Sequence, residues 1–167
     1  MFSAQSPLVS VIMVTYNSSG YIDEAINSVL NSKYKNFEII IQDDCSTDDT
    51  WKKIIQYTDG RIKKSQNLEN VGEYPNRNKA INRSKGKYII FIDGDDMLYQ
   101  HGLQIMVEGM EKYSEAGMGI SRPDNHNFET PHLLNPKETY HYQYFYGDLL
   151  SLSFVRNIFN TSILKKE

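Results

Sequence analysis

An apolar run that ends in three closely spaced acids, between Lys87 and Asp96, constrains this chain more than any other feature. Residues 89–92 are apolar at consecutive positions, which indicates a strand buried on both faces of a parallel sheet. Such sheets bind ligands beyond the carboxyl ends of their strands, and here Asp93, Asp95 and Asp96 follow. Three neighbouring carboxylates repel one another unless water or a cation relieves them, and a hard divalent metal carrying a phosphorylated ligand would do so. The alternative is an acidic turn on the surface, because short motifs also arise by chance.

Composition places the chain among globular proteins of about one domain. It has 167 residues, of which 40% are hydrophobic and 23% charged, and we treat residues 1–167 as a single domain. The net charge of −3 favours neither nucleic acid nor an acidic membrane as a partner. The single cysteine, Cys45, excludes an internal disulfide and fits the reducing cytoplasm. We expect no membrane-spanning segment, because no apolar run approaches the roughly 20 residues that a spanning helix needs.

Strand patterns and helix patterns alternate over the first two-thirds of the chain. Strands are predicted at residues 8–15, 37–42, 61–65 (weaker) and 88–92, with another short strand at 118–121. Apolar residues at helical spacing predict helices at 22–30, from Trp51 with Ser46 or Thr47 as its cap, from near Pro75, and at 103–110. Alternation with buried strands predicts an α/β fold, a three-layer α/β/α sandwich around a mainly parallel central sheet.

Three polar loops should meet at one edge of this sheet, because each follows the carboxyl end of a predicted parallel strand. Residues 15–17 offer backbone amides, a hydroxyl and an aromatic ring that suit a nucleotide base. Residues 43–47 offer carboxylates for a base N–H or ribose hydroxyls, and residues 93–96 offer a metal site for a diphosphate. Taken alone, residues 15–17 favour an ordinary turn, and the two acidic loops are equally compatible with one, since acids before a helix also favour its dipole. Together the loops predict a nucleotide-diphosphate pocket.

Several linked motifs, spread over residues 8–103, resemble those of the family 2 glycosyltransferases with the GT-A fold. They are VSVIMVTYN at 9–17, FEIIIQDDCSTD at 37–48, NVG at 70–72, RN at 77–78, GKYI at 86–89 and DGDD at 93–96. The resemblance implies an inverting transferase that moves a sugar from a nucleotide-diphospho-sugar, with UDP preferred, to a glycan or lipid-linked acceptor. It also implies Mg²⁺ or Mn²⁺ as cofactor, and a location in the cytoplasm or at the inner face of the membrane.

The resemblance assigns roles by position in the motifs. Thr15 and Tyr16 would contact the nucleoside, and Asp44 would bind the base, usually uracil. Asp93 would lie near the ribose or the metal-bound phosphates, with Asp95 as the principal metal ligand and Asp93 as the second. The complete nucleotide-sugar site implied in this way comprises Thr15, Tyr16, Asn17, Asp43, Asp44, Arg77, Asp93 and Gly94.

Some of these assignments have plain structural alternatives. Arg77 would support the diphosphate or form a salt bridge on a helix surface. Asp96 would cap a helix or support Asp95 without binding the metal directly. Gly72 and Gly86 are expected to serve turn geometry. Cys45 stands where the family usually has glycine, and we interpret it as a buried or half-buried structural thiol.

The general base for the acceptor hydroxyl is not found. In the family it is an acid well downstream of the metal motif, often in a Glu-Asp pair, and Asp148 is the weak candidate here. We expect a C-terminally truncated chain, with the donor half at about residues 7–115 and the start of an acceptor-side region at 116–167. A non-catalytic nucleotide-sugar-binding module, or an inactive fragment without the base, is the alternative, and a metal-dependent phosphohydrolase is a weaker one.

Overall fold

The computed structural model describes residues 6–120 and 157–165, and the architecture below refers to these residues. The strands are β1 (Val9–Thr15), β2 (Phe37–Asp43), β3 (Ile62–Gln66), β4 (Tyr88–Phe91), β5 (Met118–Ile120) and β6 (Asn157–Asn160). The helices are α1 (Ile22–Leu30), α2 (Thr50–Ile54), α3 (Glu73–Arg83), α4 (Gly102–Lys112) and a single turn, α5 (Thr161–Leu164). None of these described helices is both long and apolar enough to cross a bilayer.

One sheet holds the described strands in the order β3-β2-β1-β4-β6-β5. The pairs from β3 through β4 are parallel, whereas β6 is antiparallel to both β4 and β5. Every residue of β1, β2 and β4 is buried, as their continuous apolar runs predict. The strand order places the carboxyl end of β1 between those of β2 and β4.

Two apolar clusters cover the two faces of the sheet. Alternate residues of β1 point to opposite faces, so that Val11 packs with α1, α2 and α4, whereas Ile12 packs against Ala80 of α3. The predicted three-layer α/β/α sandwich is therefore confirmed. All four predicted helices are present, but α3 starts at Glu73, two residues before Pro75.

The predicted cap of α2 is wrong. This helix starts at Thr50 with Asp49 at its N-cap position, and neither Ser46 nor Thr47 caps it. Their polar groups are used elsewhere: the Ser46 hydroxyl donates to the Asp43 carboxylate, and the Thr47 backbone N–H donates to Asn17 Oδ1. The loop before α2 is longer than predicted because its hydroxyls and amides bind other loops.

Gly86 provides close contact between two chain segments, rather than the turn geometry expected from the sequence. A Cβ atom at this position would lie 2.5 Å from Ser10 N and 2.8 Å from Leu8 O. The Gly86 N–H also donates to Ser10 Oγ at 2.8 Å, so that the start of β1 and the entry to β4 are held together. These backbone atoms cannot move away without disturbing the pairing of the two central strands.

We expect Gly86→Ala to lower the free energy of unfolding by about 1–3 kcal/mol, the usual range for overpacking. Gly109 is the matched control, because it lies within α4 and a Cβ there meets no atom within 4 Å. Gly109→Ala should raise the free energy of unfolding by about 0.5–1 kcal/mol, because alanine loses less backbone entropy in a helix. Denaturant titration measures both changes, and shifts in the same direction would contradict this account.

Candidate functional site

The three predicted loops do converge at the carboxyl edge of the sheet. The Asp44 N–H donates to Thr15 O at 2.9 Å, and the Gly94 N–H donates to Val14 O at 3.1 Å, so both outer loops are bonded to the end of β1. A cleft of about 470 Å³ opens there. It is lined by Val14, Thr15, Tyr16, Asp44, Asn70, Gly72, Glu73, Asn76, Arg77 and Asp93.

Asp44 is a buried carboxylate in the wall of this cleft, and it holds the adjacent loop in place. Its Oδ1 accepts hydrogen bonds from Asn67 Nδ2 at 2.7 Å and from the Val71 N–H at 2.9 Å. Its Oδ2 accepts one from the Gly72 N–H at 2.8 Å. A carboxylate has about four acceptor positions, so roughly one remains for a ligand. Gly72 adopts a φ of 88°, which fits the turn role predicted for it.

Asp43 has a different role from the binding role suggested by its motif. Its carboxylate is fully buried and accepts from Thr15 Oγ1, from the Ser46 N–H and hydroxyl, and from Gln66 Nε2. It does not line the cleft. These four donors occupy its acceptor positions, and we therefore revise Asp43 from a ligand contact to the residue that fixes the loops after β1 and β2.

The loop after β1 divides into residues that face the cleft and one that does not. Thr15 and Tyr16 line the cleft, and the Tyr16 ring is half exposed at its edge. Asn17 instead accepts a hydrogen bond from the Thr47 N–H at 2.8 Å and donates its own N–H to Ser46 Oγ at 2.9 Å. Its assignment as a nucleotide contact is revised, because its amide joins two loops.

Cys45 and Asn17 both adopt positive φ, at 61° and 51° respectively. This left-handed conformation favours glycine, which explains why the family motif usually has glycine where this chain has Cys45. The thiol is half-buried, as predicted, and its Sγ lies 3.6 Å from Leu68 O. The backbone of this loop is thus shaped for the contacts that surround Asp43 and Asp44.

Arg77 and Asp93 form an ion pair in the opposite wall of the cleft. Arg77 Nη1 and Nη2 lie 3.1 and 3.3 Å from the two Asp93 carboxylate oxygens, and Nη2 also lies 2.9 Å from Glu73 Oε1. The guanidinium carbon lies 5.1 Å from the centre of the Phe91 ring. Arg77 is buried, but it does form a salt bridge within its helix, to the exposed Glu73, in addition to its pair with Asp93. Its two-point contact fixes the direction of the Asp93 carboxylate.

Asp95 and Asp96 follow in the same turn but in different surroundings. Asp95 is exposed, whereas Asp96 is half-buried and accepts a hydrogen bond from the Asp93 N–H at 3.3 Å. Burial raises the pKa of Asp96, and the neighbouring Asp93 and Asp95 carboxylates raise it further. Gly94 is packed beneath the turn, since a Cβ there would lie 2.7 Å from Thr15 Cγ2. Three acids thus share one short turn beside the cleft.

Two asparagines that sequence reasoning missed belong to this site. Asn76 lines the cleft, and the Asn67 side chain donates to Asp44. Both are buried, although Asn67 follows the edge strand β3 and Asn76 lies in the polar helix α3. Their burial was the missing signal, because the sequence alone gave no reason to separate them from exposed asparagines. Asp148, the weak candidate for the general base, lies outside the described residues.

Comparison with known proteins agrees with this architecture. A crystal structure of S. aureus TarS residues 1–349 in complex with UDP-GlcNAc superimposes with a TM-score of 0.74 at 29% identity, covering 94% of this chain and 46% of that one. The chain therefore has the GT-A fold of glycosyltransferases.

The family model described as "Glycosyl transferase family 2" matches residues 10–167. The chain belongs to glycosyl transferase family 2.

Two curated bacterial proteins show the same relationship in sequence. TuaG of Bacillus subtilis (strain 168), provisionally named a teichuronic acid biosynthesis glycosyltransferase, is 42% identical over 112 residues, 66% of this chain and 44% of its own length. WfgD of Escherichia coli, named a UDP-Glc:α-D-GlcNAc-diphosphoundecaprenol β-1,3-glucosyltransferase, is 37% identical over 105 residues, 63% of this chain and 42% of its own length. The chain thus spans less than half the length of these relatives.

Proposed function

We propose that this chain carries the donor site of an inverting glycosyltransferase that uses a UDP-sugar and a divalent metal. One observation carries the proposal: Asp44 and Asp93 line one cleft, with Thr15 and Tyr16 at the end of the strand between them. A nucleotide diphosphate has a base at one end and charged phosphates at the other. For the base, the cleft offers the Asp44 carboxylate as a hydrogen-bond acceptor. For the phosphates, it offers the acidic turn at residues 93–96, which suits a cation.

The base would lie at the Asp44 end of the cleft. Its buried carboxylate has an acceptor position left over for an N–H of the base, and the half-exposed Tyr16 ring offers a surface for stacking. Thr15 is an unsuitable donor, because its hydroxyl already donates to Asp43. Binding of the uracil of a UDP-sugar is supported by this donor and acceptor pattern, and by the UDP-GlcNAc complex of TarS.

The diphosphate would lie at the Asp93 end, with Asp93 and Asp95 holding Mg²⁺ or Mn²⁺. No group of three or more metal-binding side chains converges within residues 6–120 and 157–165. The residues nevertheless fit a magnesium-like ion, because such an ion typically uses one or two carboxylates and takes its other ligands from phosphates and water. The pKa of Asp96 is raised mainly by burial and further by the Asp93 and Asp95 carboxylates, and a cation would relieve the repulsion among these acids. When bound, the metal would stabilise the charge that develops on the departing diphosphate.

The reaction itself would be one in-line displacement at the anomeric carbon of the donor sugar. The acceptor oxygen forms a new bond to that carbon as the bond to the diphosphate breaks, and the configuration inverts. A base takes the proton from the acceptor hydroxyl. We leave the base unassigned; Asp148 stays a weak candidate.

The acceptor and the location follow from the relatives as proposals. WfgD acts on a diphosphoundecaprenol-linked sugar, and we propose a glycan or lipid-linked hydroxyl as acceptor here. Such an acceptor would place the protein in the cytoplasm at the inner face of the membrane. The division into a donor half at about residues 7–115 and an acceptor-side region at 116–167 belongs to the same proposal.

Calorimetry with UDP-GlcNAc and UDP-glucose tests the donor site in the 167-residue chain. We expect saturable binding in Mn²⁺ that weakens at least about tenfold in chelator, because the metal links the acids to the diphosphate. Absence of binding to any UDP-sugar in Mn²⁺ would overturn the proposed function. Sugar transfer to an acceptor is measured separately, and tight binding without transfer would support the non-catalytic binding module.

A further inference from the structure

A buried polar network lies directly behind Asp44, and the proposed chemistry does not use it. Asn67 Nδ2 donates to Asp44 Oδ1 at 2.7 Å and to Asn76 Oδ1 at 2.8 Å. Asn67 Oδ1 accepts from Gln42 Nε2 at 3.1 Å and from Lys79 Nζ at 2.8 Å. Asn76 Nδ2 in turn donates to the Gln42 backbone carbonyl at 3.0 Å. Both asparagines are less than 10% exposed.

The partners of Asn67 determine which way its amide faces. An ammonium group only donates hydrogen bonds, so Lys79 requires the oxygen of the amide on its side. The nitrogen is therefore directed at Asp44 and Asn76, which both offer an oxygen. All four hydrogen-bonding positions of the Asn67 amide are occupied, and a flipped amide would break each of them.

This arrangement decides where the free acceptor position of Asp44 lies. Asn67 Nδ2 and the Val71 N–H occupy both positions of Oδ1, and the Gly72 N–H occupies one position of Oδ2. The position that remains is thus on Oδ2, in a residue that lines the cleft. Without the Asn67 donor, only the Val71 and Gly72 N–H groups would hold the carboxylate, and its orientation toward the cleft would be less firmly fixed.

We propose that Asn67 is a positioning residue, which holds the Asp44 carboxylate in the orientation that accepts an N–H of the nucleobase. This inference rests on the proposed function, because it assigns a task within the same site. Asn76 and Lys79 support Asn67 from either side of its amide. Asn67 itself does not line the cleft, so it acts on the ligand through Asp44.

A carboxylate held in this way discriminates between pyrimidine bases. Uracil carries a hydrogen on N3, which can be donated to the free position on Oδ2. Cytosine carries a lone pair on N3, which would face the negative charge of Asp44. The ratio of UDP affinity to CDP affinity therefore reports the orientation of Asp44, and a general loosening of the cleft would lower both affinities alike.

The isosteric variant Asn67→Asp tests the proposal most directly. It keeps the shape and the oxygen that accepts from Gln42 and Lys79, but it replaces the donor to Asp44 with an acceptor. We expect UDP affinity to fall roughly 10–100-fold, as for loss of a buried hydrogen bond to a charge, and the UDP preference over CDP to shrink at least about fivefold. Asn82→Asp is the matched control, because Asn82 is an exposed residue of α3, and it should bind as the unaltered chain does.

Two further measurements keep each outcome interpretable. Asn67→Ala removes the donor without adding a charge, and thermal melting first establishes that each variant is folded. If the unaltered chain binds neither UDP nor CDP, the proposed function fails. If it prefers UDP and folded Asn67→Asp or Asn67→Ala keeps the same UDP-to-CDP ratio, the positioning role is overturned while the donor site stands.

Discussion

Asp44→Asn should weaken UDP binding at least about 100-fold, one of the two largest effects expected in this chain. The change removes the negative charge that would accept the base N–H. The new side-chain NH₂ group also faces hydrogen-bond donors: the Gly72 N–H if it replaces Oδ2, or the Asn67 and Val71 N–H groups if it replaces Oδ1. Because buried donors then lose their partner, the free energy of unfolding should fall by about 2–3 kcal/mol as well. Calorimetry at a temperature where the variant stays folded separates the two effects.

Asp49→Asn provides the control for this experiment. Asp49 lies in the same loop, and its ion pair with Lys52 is largely exposed, so the same substitution should change neither affinity nor stability measurably. Equal UDP affinity in folded Asp44→Asn and in the unaltered chain would contradict the base-binding role. It would also remove the reason for the network behind Asp44.

Asp95→Asn should abolish the metal-dependent part of UDP-sugar binding while leaving the fold intact. Asp95 is exposed, and it lies in a turn that is packed against the end of β1 through Gly94. Exposed substitutions of this kind usually change stability by less than about 0.5 kcal/mol. The affinity for a UDP-sugar in Mn²⁺ should therefore fall to the level that the unaltered chain shows in chelator.

The comparison is made by titrating UDP-GlcNAc into each protein with Mn²⁺ and again with a chelator present. Asp49→Asn serves as the control here too, since its carboxylate is also exposed but lies outside the acidic turn at residues 93–96. Retention of chelator-sensitive binding by Asp95→Asn would assign the metal to other ligands. Insensitivity of the unaltered chain to chelator would argue against any metal role in donor binding.

The central strands β1, β2 and β4 could be predicted from sequence because each contains an uninterrupted run of apolar residues. Such runs have few alternatives to burial on both faces, and β1, β2 and β4 occur within one residue of their predicted limits. The beginning of α2 could not be predicted in the same way. Ser46 and Thr47 have the side chains of helix caps, but their hydrogen bonds go to Asp43 and Asn17 instead.

In the candidate site too, the positions of the loops follow from the strand order, whereas the hydrogen-bond partners of individual side chains do not. That residues after β1, β2 and β4 meet follows from parallel strands, and the convergence of Thr15, Asp44 and Asp93 is therefore predictable. The residue type does not show which of the two adjacent aspartates, Asp43 or Asp44, faces the cleft. Asp43 is enclosed by donors while Asp44 reaches the cleft, because successive residues at the end of a strand point in opposite directions.

One helix connects both ends of the cleft through neighbouring residues. Asn76 of α3 is bonded to Asn67, and so to Asp44, while the next residue, Arg77, holds Asp93. The separation between the two acids is thus maintained by consecutive positions on a single rigid element. A residue inserted before Asn76 would therefore rotate both attachments by about 100° at once.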